Sequence, residues 1–471
     1  MFNFKKQPTT PPLYFFNTLT REKELFAEPK NKTVGLYTCG PTVYNYAHIG
    51  NLRTYVFEDL LKRVLQYNNY EVNHVMNITD VGHLTSDADV GEDKMEKGAK
   101  REGKSAWDIA KFYTTKFKEN LKDLNIEEPN IWCPATDHIP EQIALVQKLI
   151  DKGVTYTTTD GIYFDTTKID DYGKLANLKN QKLQAGIRVD MGEKKNPQDF
   201  ALWKFSPAGE KRQMEWEAFG RMGFPGWHIE CSAMSMKYLG EQFAIHCGGI
   251  DHVSVHHTNE IAQSETATGI KPWVKFWMHG EFLNIADTKM AKAGENFITL
   301  DTLKEKNIDP LAYRFFLLQT HYRKVINFSW DALQGAQNGL NNLYKEALKL
   351  KKEASTEDKN VLEAFLKNIN DDLAVSEALA FVWKSIEENK ISFQTLLQFD
   401  KIFGLQITTN VERLEKETNF SIPNDAQKLL DLRQQARDNK NWAESDKLRE
   451  EIKNLGFDVE DTSQGQKLNK L

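Results

Sequence analysis

The sequence predicts an α/β protein in which a doubly wound parallel sheet is broken by an insertion and followed by an α-helical C-terminal region. Three observations carry this reading. Residues 34–78 have the shape of a βαβ unit, a polar, loop-rich stretch then parts it from a second set of apolar strands, and from residue 331 onward apolar side chains recur at helical spacing.

The first strand is the apolar run 34–39, stopped by Gly40-Pro41-Thr42. His48-Ile49-Gly50-Asn51 then opens a helix on which Leu52, Val56, Leu60 and Val64 repeat every four residues, with Phe57 and Leu61 beside them. Val72, His74, Met76 and Ile78 alternate as a strand does. The dinucleotide fingerprint G-x-G-x-x-G is absent, yet a glycine at a helix start offers free backbone N–H groups and a positive dipole end for phosphate. The bland alternative is a glycine chosen for close packing. Residues 82–104 are polar and gather Lys94, Lys97, Lys100, Arg101 and Lys104, the pattern of a solvated face or of an RNA-facing flap.

Helices are predicted over 106–124 and 141–150 and a hairpin over 154–165 around Asp160-Gly161, with loop-rich chain to about residue 211. This reads as a domain inserted between two halves of a sheet. The second half starts near Trp216: a helix over 232–239, a strand over 243–246, a glycine-rich loop over 247–251, a helix opened by His256 and a strand over 274–279. Ligands of doubly wound sheets bind beyond the carboxyl ends of the strands, where the loops after Cys39, after His246 and near Thr79 fall. Beyond the break at Pro423, two charged helices are predicted over 425–438 and 442–455.

The 471 residues, 40% hydrophobic and 27% charged, suffice for more than one core. No run of eighteen apolar residues occurs and the first residues lack an apolar signal core, so the expected location is cytoplasmic. Cysteines 39, 133, 231 and 247 are too few and scattered for a disulfide framework, leaving buried thiols, nucleophiles or metal ligands. A net charge of -6 gives no support for a polyanionic partner, although local basic patches on an acidic protein can bind one.

Cys39, Cys231, His256 and Glu260 form the sharpest constellation. His256 and Glu260 stand at i, i+4 on one predicted helix, and two thiols, an imidazole and a carboxylate suit zinc. From spacing alone the signal is weak, because the cysteines are far apart in sequence and such a His/Glu pair is more often a surface ion pair. His48, His228 and His246 lie beside glycine turns and suggest a common polar cleft. Lys289 and Lys292 could neutralise a departing polyphosphate or form an ordinary basic loop.

Several long stretches, in order, resemble the class I aminoacyl-tRNA synthetases and within them the cysteinyl-tRNA synthetase family. They are Phe16-Asn-Thr-Leu-Thr-Arg21, Tyr37-Thr-Cys-Gly-Pro-Thr-Val-Tyr44, Asn77-Ile-Thr-Asp80, Leu183-Gln-Ala-Gly-Ile-Arg-Val-Asp190, Asn196-Pro-Gln-Asp-Phe-Ala-Leu-Trp-Lys204, Gly226-Trp-His-Ile-Glu-Cys-Ser-Ala-Met234 and Asn259-Glu-Ile-Ala-Gln-Ser264. His48-Ile-Gly-Asn51 stands where the family has HIGH, and Lys289-Met-Ala-Lys-Ala293 where it has KMSKS.

The resemblance implies a Rossmann-like catalytic domain and ATP-dependent activation of L-cysteine, with transfer to tRNA(Cys). It implies zinc on Cys39, Cys231, His256 and Glu260; ATP, with Mg²⁺, at His48, Gly50, Asn51, His246, Gly249, Asp251, Lys289 and Lys292; and substrate contacts from Thr79, Trp227 and His228. His48, Gly50, Asn51, Lys289 and Lys292 would be the catalytic set, and Arg437, Trp442, Asp446 and Asp461 the anticodon readers. The implied division is a catalytic first half over 1–136, an insert over 137–215, a catalytic second half over 216–282, a stem-contact segment over 283–330, a helical bundle over 331–415 and an anticodon-binding end over 416–471. The family's usual state implies a monomer. Asn51, Ala291 and Ala293 depart from the two signatures, and the chain is longer after Asp80. The first 330 residues equally resemble ligases that join cysteine to an amino-sugar, and the altered signatures also fit a non-catalytic tRNA- or nucleotide-binding paralogue; the tail argues for tRNA, and the retained lysines and ligand set for catalysis.

Overall fold

The structure, a computed structural model, describes residues 11–27, 33–82, 94–178, 193–207, 209, 211–285, 297–353, 358–418, 423–462 and 465–470. The chain divides into two compact units, Met1–Ile407 and Thr408–Leu471.

In the first unit, β1 (Tyr14–Asn17) and β2 (Glu22–Leu25) pair before β3 (Thr33–Thr38), α1 (Ile49–Tyr67) and β4 (Glu71–Ile78). Next come α2 (Lys94–Glu102), α3 (Ala106–Asp123), β5 (Ile131–Pro134) and α4 (Ile139–Asp151). Strands β6 (Thr155–Thr157), β7 (Gly161–Phe164), β8 (Phe200–Phe205), β9 (Trp216–Ala218) and β10 (Arg221–Pro225) form an antiparallel sheet in the order β6-β7-β8-β10-β9. The chain then returns through α5 (Trp227–Leu239), β11 (Phe243–Gly249), α6 (His256–Thr268) and β12 (Val274–Gly280). After β13 (Leu283–Ile285), α7 (Leu300–Glu305), α8 (Pro310–Leu318) and β14 (Ile326–Phe328) come α9 (Trp330–Lys352), α10 (Lys359–Ile369), α11 (Val375–Glu387) and α12 (Phe393–Phe403). Helix α13 (Ile407–Thr418) leads into α14 (Asn424–Asp438), α15 (Trp442–Asn454) and the hairpin β15 (Phe457–Thr462) and β16 (Gly465–Lys470), whose core includes Ala426, Leu430, Ile452 and Val459.

The central sheet is wholly parallel, in the order β12-β11-β3-β4-β5. Strand order reverses at β3, so a crevice opens between the carboxyl ends of β3 and β11. Cys39 follows β3 and sits at that crevice. The loop after it is held tightly: Gly40 N–H bonds Asn77 Oδ1 at 2.8 Å, and Thr79 N–H bonds Pro41 O at 3.0 Å. A Cβ at position 40 would lie 1.7 Å from the Asn77 carbonyl oxygen, so only glycine fits there.

Helix α1 departs from the one-sided pattern read in its sequence. Its apolar stripe is buried as expected, and so are Glu58, Asp59, Lys62 and Arg63, because α8 and α12 pack on the helix as well as the sheet. The buried charge is met: Asp59 accepts from Arg63 Nε at 2.8 Å, Arg314 Nη2 at 2.6 Å and Glu127 N–H at 2.8 Å.

Four further expectations change. Helix α5 starts at Trp227, not Ser232, so Cys231 lies within the helix instead of at its start. Strand β11 runs to Gly249, which makes residues 247–249 strand and puts His246 inside the sheet. The loop-rich insert is a five-stranded sheet whose cross-strand pairing, invisible to local pattern, continues past residue 215 to Pro225. The helical C-terminal region closes with a hairpin. Residues 183–190, the extra residues in 83–93 and the segment 286–296 with Lys289, Ala291, Lys292 and Ala293 lie outside the described residues.

Candidate metal centre and nucleotide pocket

The parallel pleat puts Tyr37 and Cys39 on one face of β3, where Cys231 of α5 also packs. α6 supplies the rest. His256 and Glu260, one turn apart, bring His256 Nε2 to 3.1 Å from Glu260 Oε1. The ligand atoms of Cys39, Cys231, His256 and Glu260 all lie within 4.8 Å of one another, and all four residues are buried. Glu260 Oε1 has no aligned hydrogen-bond partner. The Glu260 carboxylate, with Oε1 beside His256 Nε2, joins two thiols and an imidazole in a donor set that fits a zinc ion.

The charges of that set balance one another, and a metal would take the place of the proton on His256. Burial holds the Cys39 thiol well above its ordinary pKa, whereas the hydrogen bond from Cys39 draws Cys231 down to about 7. Burial opposes charge on His256, but Glu260 and Cys231 outweigh it and lift the imidazole to about 10. Burial likewise works against ionised Glu260, yet His246 and His256 bring it to about 2. The pocket thus favours one thiolate and one carboxylate at its ligand positions.

Further histidines surround this set, and His246 and His257 form with Cys39 and Glu260 a second buried group whose ligand atoms lie within 4.8 Å of one another. His246, expected beside ATP, is instead fully buried in β11, with Nε2 3.1 Å from Glu260 Oε2 and its ring stacked on Trp277. His228, expected beside the substrate, is buried with Nδ1 3.0 Å from His256 Nδ1. His257 was not singled out from sequence; its Nε2 stands 3.3 Å from Cys39 Sγ and its Nδ1 2.7 Å from His279 Nε2. The visible signal was the His256-His257 dyad. Hydrogen bonds of this kind set ring orientation and ligand basicity.

At the mouth, Trp227 is half-buried and its ring centroid lies 4.5 Å from that of His256. Thr79 Oγ1 accepts from Asn77 Nδ2 at 3.0 Å and donates to Glu230 Oε2 at 3.4 Å. The Glu230 carboxyl, pushed well up by burial, was also missed.

The nucleotide side begins at His48, which caps α1. His48 Nδ1 accepts from Asn51 N–H at 3.1 Å while His48 N–H donates to Asn51 Oδ1 at 3.3 Å, a reciprocal capping box. With Nδ1 occupied as acceptor, the proton of the neutral ring sits on Nε2. Gly249 and Asp251 lie close by: a Cβ on Gly249 would stand 3.7 Å from Thr54 Oγ1 of α1 and 2.3 Å from Asp251 Oδ1. This turn needs glycine for space, not for positive φ.

In the second unit, Asp461 receives Arg433 Nη1 at 2.9 Å and Nη2 at 3.0 Å and pairs with Arg437 Nη1 at 3.1 Å. The Arg437 guanidinium carbon lies 5.7 Å from the centre of the exposed Trp442 ring. Arg437, Trp442 and Asp461 therefore cluster, Asp446 is exposed one turn beyond Trp442, and buried Arg433 was not foreseen.

Comparison with known proteins agrees with this layout. Residues 25–338 match the family described as tRNA synthetases class I (C) catalytic domain, and residues 421–467 the family described as cysteinyl-tRNA ligase anticodon binding domain. The chain is 49% identical over 461 residues to cysteine–tRNA ligase 1 of Burkholderia lata, covering 97% of each chain. It is 43% identical over 481 residues to cysteine–tRNA ligase of Treponema denticola, covering 95% of this chain and 98% of the other. A Mycobacterium tuberculosis methionyl-tRNA synthetase structure in complex with methionyl-adenylate shares the fold, with TM-score 0.56 at 16% identity over 88% of this chain and 96% of that one.

Proposed function

The chain belongs to the cysteine–tRNA ligase family of class I aminoacyl-tRNA synthetases, ATP-dependent enzymes, and from that premise we propose that it activates L-cysteine as cysteinyl-adenylate and transfers it to tRNA(Cys), with zinc selecting the thiol. The observation that supports thiol selection is the buried Cys39, Cys231, His256 and Glu260 set, whose ligand atoms lie within 4.8 Å of one another.

Zinc, when bound there, supplies a soft acceptor that bonds a thiolate far better than a serine hydroxyl. The protein's part is to hold those ligands. His246 and His228 keep the Glu260 and His256 side chains turned toward one another. Trp227 and Thr79 frame the amino-acid side. A pocket built around one specific polar bond rejects an analogue lacking it by large factors, so the insert need not edit.

ATP is assigned to the α1 N-terminus and the Gly249–Asp251 turn, with His48 Nε2–H donating toward phosphate oxygen. Asn51 preserves that donor through the capping box, which explains how the chain tolerates losing the second histidine of the signature. Lys289 and Lys292 would meet the phosphates, whose accompanying ion would be Mg²⁺. Catalysis on this reading is positioning and charge stabilisation.

The anticodon assignment rests on Arg437, Trp442, Asp446 and Asp461 and on the family match of residues 421–467. The order of domains given above, with the insert carried on to Pro225, and a monomeric, cytoplasmic enzyme complete the reading. Cysteine-dependent ATP–pyrophosphate exchange followed by charging of tRNA(Cys) tests it. Both activities are expected, with about one zinc per chain; exchange without charging would indicate the amino-sugar ligase, and neither would overturn catalysis.

A further inference from the structure

Arg53 lies on α1 just beyond the capping box, and its guanidinium is buried without a carboxylate partner among the described residues. Its donors go instead to backbone: Nη1 to Phe282 O, Nη2 to Lys324 O, and Nη2 to Tyr322 O at 3.5 Å. These carbonyls already serve the strand framework. Phe282 O also accepts Ile326 N–H at 3.2 Å, and Tyr322 O accepts Glu281 N–H at 2.8 Å. The parallel pair β13 and β14 starts at this point, with Leu283 opposite Ile326. Tyr322 in turn stacks on Phe57 of α1, ring centroids 4.4 Å apart and planes within 4°.

The other side of the segment 286–296 is also tied to α1. Ile49 N–H bonds Ile298 O at 2.9 Å, and the Phe297 ring meets His48 edge-on at 5.7 Å. Both roots of the segment carrying Lys289 and Lys292 are therefore anchored on the first two turns of the helix that His48 caps. One root uses the helix backbone; the other uses Arg53.

We propose that Arg53 is a positioning residue for adenylate formation: by bonding the carbonyls of Phe282, Tyr322 and Lys324 it holds the root of the Lys289 and Lys292 segment against the helix bearing His48. The inference rests on the ligase reading above. An arginine is suited to the task because its planar fork reaches several carbonyls at once, whereas a lysine ammonium cannot reproduce that geometry. Burying a full positive charge on backbone carbonyls, with the Glu281 carboxylate only in electrostatic range, costs desolvation, and a fold that needed only packing here would be served by an apolar side chain.

Arg53→Ala and Arg53→Lys test this in the full-length, zinc-replete protein. For Arg53→Ala, kcat of cysteine-dependent ATP–pyrophosphate exchange is expected to fall about 10- to 100-fold, as for an ångström-scale misplacement of reacting groups. KM for cysteine and zinc content should stay at wild-type values, because the metal pocket is built from other elements. Arg53→Lys should recover part of the loss, and in a Lys289→Ala background Arg53→Ala should add little, since both changes act through one segment. A folded Arg53→Ala protein with undiminished kcat, or effects of Arg53→Ala and Lys289→Ala that multiply, would overturn the inference. If the alanine variant does not fold, Arg53→Lys carries the same comparison alone and with Lys289→Ala. Wild-type protein without exchange would overturn the ligase reading itself, a result distinct from normal exchange that ignores Arg53.

Discussion

The molecule holds two charged clusters that look alike on paper and differ in physics. Around Glu260 the partners are buried, solvent is excluded and each hydrogen bond decides the protonation of its neighbour. Around Asp461 a carboxylate with more than a third of its side chain exposed pairs with the buried Arg433 and the half-buried Arg437 of the C-terminal unit, so that solvent reaches one side of the cluster. Charge pairs in low dielectric couple strongly and are costly to break singly, while exposed pairs are screened. The first cluster is thus a device for chemistry, and the second a scaffold on which an exposed tryptophan is displayed.

The contrast can be broken most directly at the thiol end. Cys231→Ala is expected to lose stoichiometric zinc and to lower kcat/KM for cysteine by roughly 10²- to 10⁴-fold, the range for a site that loses its specific polar bond. Metal analysis and exchange kinetics check this; full zinc with normal cysteine affinity would remove the assignment. His246→Ala should act one step back, weakening zinc affinity by about 10- to 100-fold while the ligands stay in place. Competition with a chelator measures it, and unchanged affinity would reduce His246 to a packing residue on Trp277.

Glu58 sharpens the comparison, because it is a buried carboxyl without the partners its neighbour Asp59 enjoys. Neither Glu58 oxygen has an aligned hydrogen bond, and burial raises its pKa well above the usual value. The folded state therefore binds this proton more tightly than the unfolded one, so stability falls as pH rises from the ordinary carboxyl range toward the raised value. Glu58→Gln should stabilise the protein by about 1–3 kcal/mol at neutral pH, the order of the proton-uptake cost that a neutral amide avoids. The gain should vanish below the ordinary carboxyl pKa; thermal denaturation against pH reads it, and a gain that persists in acid would assign it to packing.

Asp461→Asn should have the smallest effect. Asp461 is held below its ordinary pKa, first by the Arg433 hydrogen bond, so its contribution is present above that ordinary value and is lost as pH falls through the depressed one. Solvent reaches Asp461, and the asparagine oxygen and Gln466 Oε1 would still accept from the buried Arg433 guanidinium, so the loss is about 1 kcal/mol in the unfolding of the C-terminal unit. A larger loss would place this pair with the buried cluster.

Much of the fold was legible because periodicity reports burial. The βαβ unit at 34–78 and the helices of the C-terminal region emerge with nearly the read boundaries. The insert's sheet was not legible, since its strands are short and its pairing joins residues far apart. Likewise, the polar face of α1 read as solvated, and only the packing of α8 and α12 shows that Asp59 and Arg63 are interior.

Local sequence by itself determined the capping box at His48 and Asn51 and the one-turn spacing of His256 and Glu260, because each depends on neighbours a few bonds away. It also carried the family, through signatures in register. Tertiary structure alone decided that Cys39 meets Cys231, that His246 meets Glu260, and that Arg53 reaches past more than two hundred residues to three carbonyls. Those contacts follow from which strands lie side by side in the sheet, a choice set by the burial of whole faces and not by any short stretch of chain.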